Sequence, residues 1–251
     1  MSRAPRQYIG TSGWSYAHWK GPFYPKGLAD EAMLGFYLQR FQAVEINSSF
    51  YRLPAPAVLR AWHDAAPAGF RFAVKASRYI THMKKLKDCA APLADLLARV
   101  SLLEDRIGPI LFQLPPRWHF NAERLSGFLA MLSDEFRYAF EFRDHSWLND
   151  EAYALLARRG TALCLYDLDG FLSPQILTTD FAYVRLHGPA GPYQGSYAKT
   201  ALETWADRLA AWAAQGIEAH CYFDNDQGGA AAKNAQQLQA LLKTRLSARQ
   251  D

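Results

Sequence analysis

In VEINSSFYR, residues 44–52, Glu45 and Asn47 fall on one face of a short extended run, with Val44 and Ile46 on the other. The pattern recurs along the chain. Lys75 stands near the end of FRFAVKA, Gln113 in GPILFQLPP, and Glu141 with Arg143 in YAFEFR. Arg185 and His187 occupy AYVRLHG, and Asp224 with Asn225 ends IEAHCYFDN. Isolated ionised groups in an apolar core are strongly unfavourable, so these side chains are expected to meet in a hydrated or liganded pocket.

Their chemistry divides into three kinds. Lys75, Arg78, Arg143 and Arg185 suit a carboxylate or phosphate, because guanidinium forks and an ammonium point charge both bind such groups. Imidazole is the side chain best suited to shuttle protons near neutral pH, which favours His187, and Glu141 and Glu45 could divide acid and base roles, so these three lead the catalytic candidates. Lys75 joins them as an imine-forming lysine if it is desolvated. Trp14, Tyr16, Trp19 and Tyr24 crowd one early loop, and Tyr51 and Trp147 stand beyond two later runs. Ring faces of this kind stack on a base or a sugar. His82, on a loop, is placed to close over a ligand, and Asn47, Gln113, Asp224 and Asn225 complete the expected lining.

A divalent metal held by Glu45, Glu141, His187 and Asp224 is one further arrangement. Neither HExxH nor a close His/Cys cluster supports it, and the nearby cations oppose it unless the ion arrives with phosphate. The plainer competing reading is a structural charge network, with Glu45 neutralising Lys75 and the aromatics forming a lid that touches no ligand.

Positioning such residues requires strands that are buried on both faces. Eight runs read as strands, and apolar stripes between them read as about seven helices. One helix follows Pro56, another carries Leu93, Leu96, Leu97 and Val100, and another Leu202, Trp205, Leu209 and Trp212. Asp30 is read as a cap for the helix of Met33, Tyr37 and Phe41, and Thr200 with Glu203 as a capping box. The segment LDGFLSPQILTTD after the sixth strand shows no helical stripe. A chain of 251 residues with this alternation predicts one (β/α)8 TIM barrel over 1–251, with an irregular or missing helix after strand six. In a barrel the polar phase faces the lumen and its outer members lie at the carboxyl ends of the strands, where active sites form. GTSGWS lacks the glycine spacing of a dinucleotide-binding turn, which argues against an open doubly wound sheet.

Half the residues are apolar and the formal net charge is +4, a mild excess that favours an anionic ligand over an extended nucleic-acid track. The three cysteines, Cys89, Cys164 and Cys221, are widely spaced and read as buried fillers. No apolar leader and no run of about 20 apolar residues is present. The expectation is a soluble, cytoplasmic protein without membrane contact.

GTSGWSYAHWKGPFYP, EINSSFYR, FAVKASRYITH, LFQLPP, EFRDHSW, YVRLHG and YFDND resemble, in order, the blocks of the YecE-like family, also called domain of unknown function seventy-two. The resemblance runs from about Tyr8 to about Leu242 and implies a TIM barrel. It implies no settled reaction. Its blocks contain Trp14, Tyr16, Trp19, Phe23, Tyr24, Glu45, Asn47, Tyr51, Lys75, Arg78, His82, Gln113, Glu141, Arg143, Trp147, Arg185, His187, Asp224 and Asn225. Asp224 departs from the pattern, where the family is associated with an asparagine. Three functions stay open: an acid/base enzyme acting on a small phosphate- or carboxylate-bearing molecule, a nucleic-acid-binding or repair-type nuclease, and a non-catalytic binder of an anionic metabolite.

Overall fold

Short runs rich in aromatic and aliphatic residues, ended by glycine, proline or asparagine, become the strands of the computed structural model, which describes residues 6–248. They are β1 (Gln7–Thr11), β2 (Ala43–Ile46), β3 (Arg71–Lys75), β4 (Ile107–Gln113), β5 (Tyr138–Glu141), β6 (Ala162–Leu168), β7 (Phe171–Leu172), β8 (Phe181–Leu186) and β9 (Glu218–Phe223). The helices are α1 (Met33–Leu38), α2 (Pro56–Ala65), α3 (Ala90–Val100), α4 (Ala122–Leu129), α5 (Asp150–Arg158), α6 (Lys199–Ala214) and α7 (Ala230–Ser247). The strand order is β1-β9-β8-β6-β5-β4-β3-β2, with β7 attached to β6. This is a nearly closed parallel barrel of eight strands, a TIM-barrel-like α/β fold. In the described residues, no helix is long and apolar enough to cross a membrane.

The segment after β6 is the expected irregularity. Asp169 (φ 52°) and Gly170 (φ 76°) turn the chain back, so that Leu168 pairs with Phe171 and Asp167 with Leu172 in an antiparallel hairpin. Both central residues have positive φ, the conformation that Asp-Gly adopts readily. LDGF therefore carried a hairpin signal that helical periodicity could not reveal.

By contact density the chain falls into two units: the residues up to Val44 with Leu165–Ser173 and those from Phe181 on, and Glu45–Cys164 with Pro174–Asp180. In the first, β9 pairs with β1 from Gln7↔Ala219 to Thr11↔Phe223 and with β8 from Phe181↔Glu218 to Leu186↔Phe223. Tyr8 stacks on His220 at 4.8 Å, and Tyr183 packs on Tyr222 at 5.4 Å. Leu202, Trp205, Leu209, Leu238 and Leu242 bury the inner stripes of α6 and α7. Between β1 and β2 the buried Tyr37 hydroxyl accepts from the Thr11 N–H at 2.9 Å and donates to the Ala43 carbonyl at 3.0 Å. The strands come so close here that a Cβ on Gly10 would stand 2.0 Å from the Ala43 oxygen.

In the second unit, β4 pairs with β3 across a register shift between Phe72 and Val74, and with β5 from Ile110↔Tyr138 to Gln113↔Glu141. The other face of β4 and β5 packs on α4, where Phe112 meets Phe128 at 5.0 Å and Phe140 at 5.2 Å. Asn121 and Asn149 cap α4 and α5, accepting from Arg124 and Ala152 N–H at 2.8 and 2.9 Å.

Two expected caps are corrected. Asp30 is the first residue of a 3-10 turn whose cap position is Ala29, and its carboxylate binds Lys20 Nζ at 2.7 Å. Thr200 lies inside α6, which begins at Lys199 after Ala198, so the capping-box register is lost. Glu203 instead lies 3.7 Å from Lys199 Nζ.

Candidate functional site

The second unit holds a cationic cluster beyond the carboxyl end of β3. After Ile46 the chain enters a 3-10 turn, Ser48–Phe50, where Ser49 Oγ lies 2.6 Å from the Lys75 carbonyl and 2.8 Å from that of Ile46. This clamp sets the Phe50 ring 4.4 Å from Lys75 Nζ, a cation–π contact with a lysine only 6% exposed. The His82 ring meets the same Phe50 edge-on at 4.9 Å, and its Nδ1 lies 2.9 Å from Thr81 Oγ1. His82 sits on one π-helical turn, Tyr79–Met83, entered through Arg78. Burial first, then the charges of Lys75, Arg78 and Arg143, lower the His82 pKa from 6.5 to about 4. Near neutral pH it is therefore a neutral imidazole among three cations.

At the end of β5, the fully buried Glu141 pairs with Arg143 Nε, and Cys164 Sγ approaches its other oxygen at 3.8 Å. Gln113 is the register partner of Glu141 and is 9% exposed. Glu45 is fully buried, while the buried Asn47 Oδ1 accepts no hydrogen bond from a described residue. Tyr51 is exposed and meets Phe50 edge-on. Trp147 is fully buried among Trp118, Phe120 and Phe142, with its indole N–H on the Trp118 carbonyl.

In the first unit, Asp224 Oδ2 lies 2.9 Å from both His187 Nδ1 and Arg185 Nη2. Arg185 continues to Ser12 Oγ at 3.3 Å, and all four residues are buried. One carboxylate oxygen serving two donors accounts for aspartate at this position: an ionised acceptor balances the guanidinium, which an amide would not. The loop after His187 covers it. Tyr193 N–H donates to the His187 carbonyl at 2.7 Å and its ring stands edge-on to the imidazole at 5.9 Å. Asn234 of α7 fastens this loop, accepting from Tyr197 N–H and Asn225 Nδ2 at 3.0 Å each and donating to Ser196 Oγ at 3.1 Å. Burial raises the Asp167 pKa, partly offset by His187 and a Tyr197 hydrogen bond.

Trp19 and Tyr24 are fully buried, with Trp19 Nε1 on the Asp226 carbonyl at 2.8 Å and Tyr24 hydroxyl on the Trp14 carbonyl at 2.6 Å. Trp14 is buried as well, and the half-buried Tyr16 donates to the Ser12 carbonyl at 2.6 Å.

Thus Lys75, Arg78, His82, Glu141 and Arg143 are linked within the second unit, and Arg185, His187 and Asp224 within the first. Sequence reasoning missed Ser12, Ser49, Asp167, Tyr197 and Asn234. Asp167 carried a signal, ending TALCLYD as Asp224 ends its own strand; Asn234 carried none among the glutamines of its helix. The metal expectation finds no support: in the described residues, no group of three or more His, Cys, Asp or Glu side chains is arranged to hold an ion.

Fold and clusters together define a TIM-barrel-like α/β protein with polar groups at the carboxyl ends of its strands. The family model described as "Protein of unknown function DUF72" matches residues 8–251, and the chain belongs to that family. UPF0759 protein YecE of Escherichia coli K12 is 34% identical over 145 residues, 54% of this chain and 48% of that protein, so the match spans about half the relative's length. UPF0759 protein YunF of Bacillus subtilis 168 is 26% identical over 269 aligned positions, 94% of each chain. The crystal structure of a DUF72 family protein from Thermotoga maritima superposes with a TM-score of 0.83 at 29% identity, covering 95% of this chain and 99% of that one.

Proposed function

We propose that this protein is an enzyme that binds a small phosphate- or carboxylate-bearing molecule and performs acid/base chemistry on it, either hydrolysis or proton transfer. The observation that carries the reading is the grouping of Lys75, Arg78 and Arg143 around the Phe50–His82 ring pair, where burial first and then these three charges lower the histidine's pKa to about 4. Three cations beside a neutral imidazole make a field suited to an anion. Neutral His82 can donate a hydrogen bond to that anion. Glu141, already engaged with Arg143, is the proton carrier of the same unit. In the first unit, the Asp224 carboxylate orients the His187 imidazole, making His187 the second proton carrier to test.

Titration calorimetry with inorganic phosphate tests the anion site. Lys75→Met and Arg143→Gln should each weaken binding about tenfold, the worth of one charge-assisted hydrogen bond. Phosphate affinity unchanged in both overturns the site. A turnover assay over phosphate esters and carboxylates tests the chemistry. Glu141→Gln should retain ligand affinity and lose activity by about a hundredfold or more. Unchanged turnover in both Glu141→Gln and His187→Ala overturns the assignment of the proton carriers.

A further inference from the structure

The Ser48–Phe50 turn that holds Phe50 over Lys75 also borders a separate cleft in the second unit. This cleft has a volume of about 400 Å3, and Ser48, Arg52, Leu53, Val58, Trp62 and Arg99 are among its lining residues. The volume lies at the small end of the range for organic ligands. Leu53, Pro54, Pro56 and Val58 give it an apolar wall, with Val58 40% exposed. Trp62 adds a ring stacked on Phe72 at 6.3 Å.

The only charged lining residues are two arginines. Arg99 is fixed in place: its Nη1 donates to the Pro54 carbonyl at 2.9 Å, and Nη2 lies 3.7 Å from Asp95 one helical turn away. The exposed Arg52 guanidinium forms no hydrogen bond or ion pair with a described residue. The α2 helix opens into this region at Pro56, with Ala55 in the cap position and no side-chain cap, so its positive end adds to the same field. Two guanidinium groups and an uncapped helix start thus stand at the edge of an apolar wall, and no lining residue is acidic.

We propose that this cleft binds a small molecule with one carboxylate and an apolar body, the carboxylate on Arg52 and the body along Leu53, Val58 and Trp62. The site is distinct from the cationic cluster, because Lys75, Arg78, His82 and Arg143 do not line it. Its case is independent of the reaction proposed above. Its shared wall is the turn that carries Phe50, so occupancy would bear on the position of the ring beneath Lys75 and His82.

Octanoate is the probe, with octanol as the uncharged control, followed by titration calorimetry. Octanoate should bind the wild-type protein, and octanol should bind at least about tenfold more weakly, reflecting loss of the charged contact. Arg52→Gln should weaken octanoate about tenfold, and Val58→Glu should abolish it by placing a like charge in the wall. Both positions are exposed, so both variants should fold. Lys75→Met should leave octanoate affinity unchanged. The proposal is overturned if wild-type protein does not bind octanoate, if octanol matches it, or if Arg52→Gln retains wild-type affinity. It is also overturned if Lys75→Met removes binding, which would place the carboxylate on the cationic cluster.

Discussion

At the scale of single residues, His82 is the most informative group. Its folded pKa is depressed from 6.5 to about 4, by burial and by three neighbouring cations. As pH falls through this window the unfolded chain takes up a proton that the folded chain refuses. The unfolded state then binds more protons, so stability contributed by neutral His82 is present above about 6.5 and is lost as pH falls toward about 4. Urea unfolding at pH 7 and pH 4.5 should show a smaller acid loss in His82→Gln than in wild type. The imidazole resonance should titrate near 4, and higher in Lys75→Met. Equal acid sensitivity of the two proteins would refute the effect. The residue types of both clusters were legible from period-two patterning, which put Lys75, Glu141, Arg185, His187 and Asp224 in the polar phase of their strands. What pairs with what was not legible. Nothing in the order of residues says that Asp224 rather than a glutamate holds His187, or that Ser49 clamps Lys75.

At the scale of elements, the strands follow from composition, whereas the helix starts do not. A capping box read from Thr200 and Glu203 fails by two residues, because the cap position of α6 is Ala198. Hydrophobic stripes locate a helix well but leave its first residue to tertiary context. The contact between β1 and β2 is another matter that patterning cannot reach. It depends on Tyr37, a residue of α1, whose hydroxyl meets the Thr11 N–H, the Thr11 Oγ1 and the Ala43 carbonyl. Tyr37→Phe would leave the Thr11 N–H and the Ala43 carbonyl buried without that partner. We expect a loss of about 2–4 kcal/mol in unfolding free energy, measured by urea denaturation. A loss below about 0.5 kcal/mol would mean that the strands satisfy these groups in another way.

Over the whole molecule, the barrel was legible because eight buried strands alternating with amphipathic helices admit few other arrangements. The grouping of the chain into units was not, because one of them gathers three separated stretches of sequence. The cysteines offer a global readout of the fold. Cys89, Cys164 and Cys221 are all buried thiols outside any disulfide. Ellman's reagent should label no thiol quickly in the native protein and all three in denaturant, with labelling tracking the unfolding transition. Rapid native labelling of Cys164 or Cys221 would contradict their burial within strands. Asn234 adds a different connection across the sequence. A single amide on the final helix holds the segment that covers His187, although the two residues are far apart along the chain. Substitutions on the outer helical layer can therefore retune the imidazole's surroundings with every barrel side chain intact, and variation in α7 is a remote dial on the histidine just beyond β8.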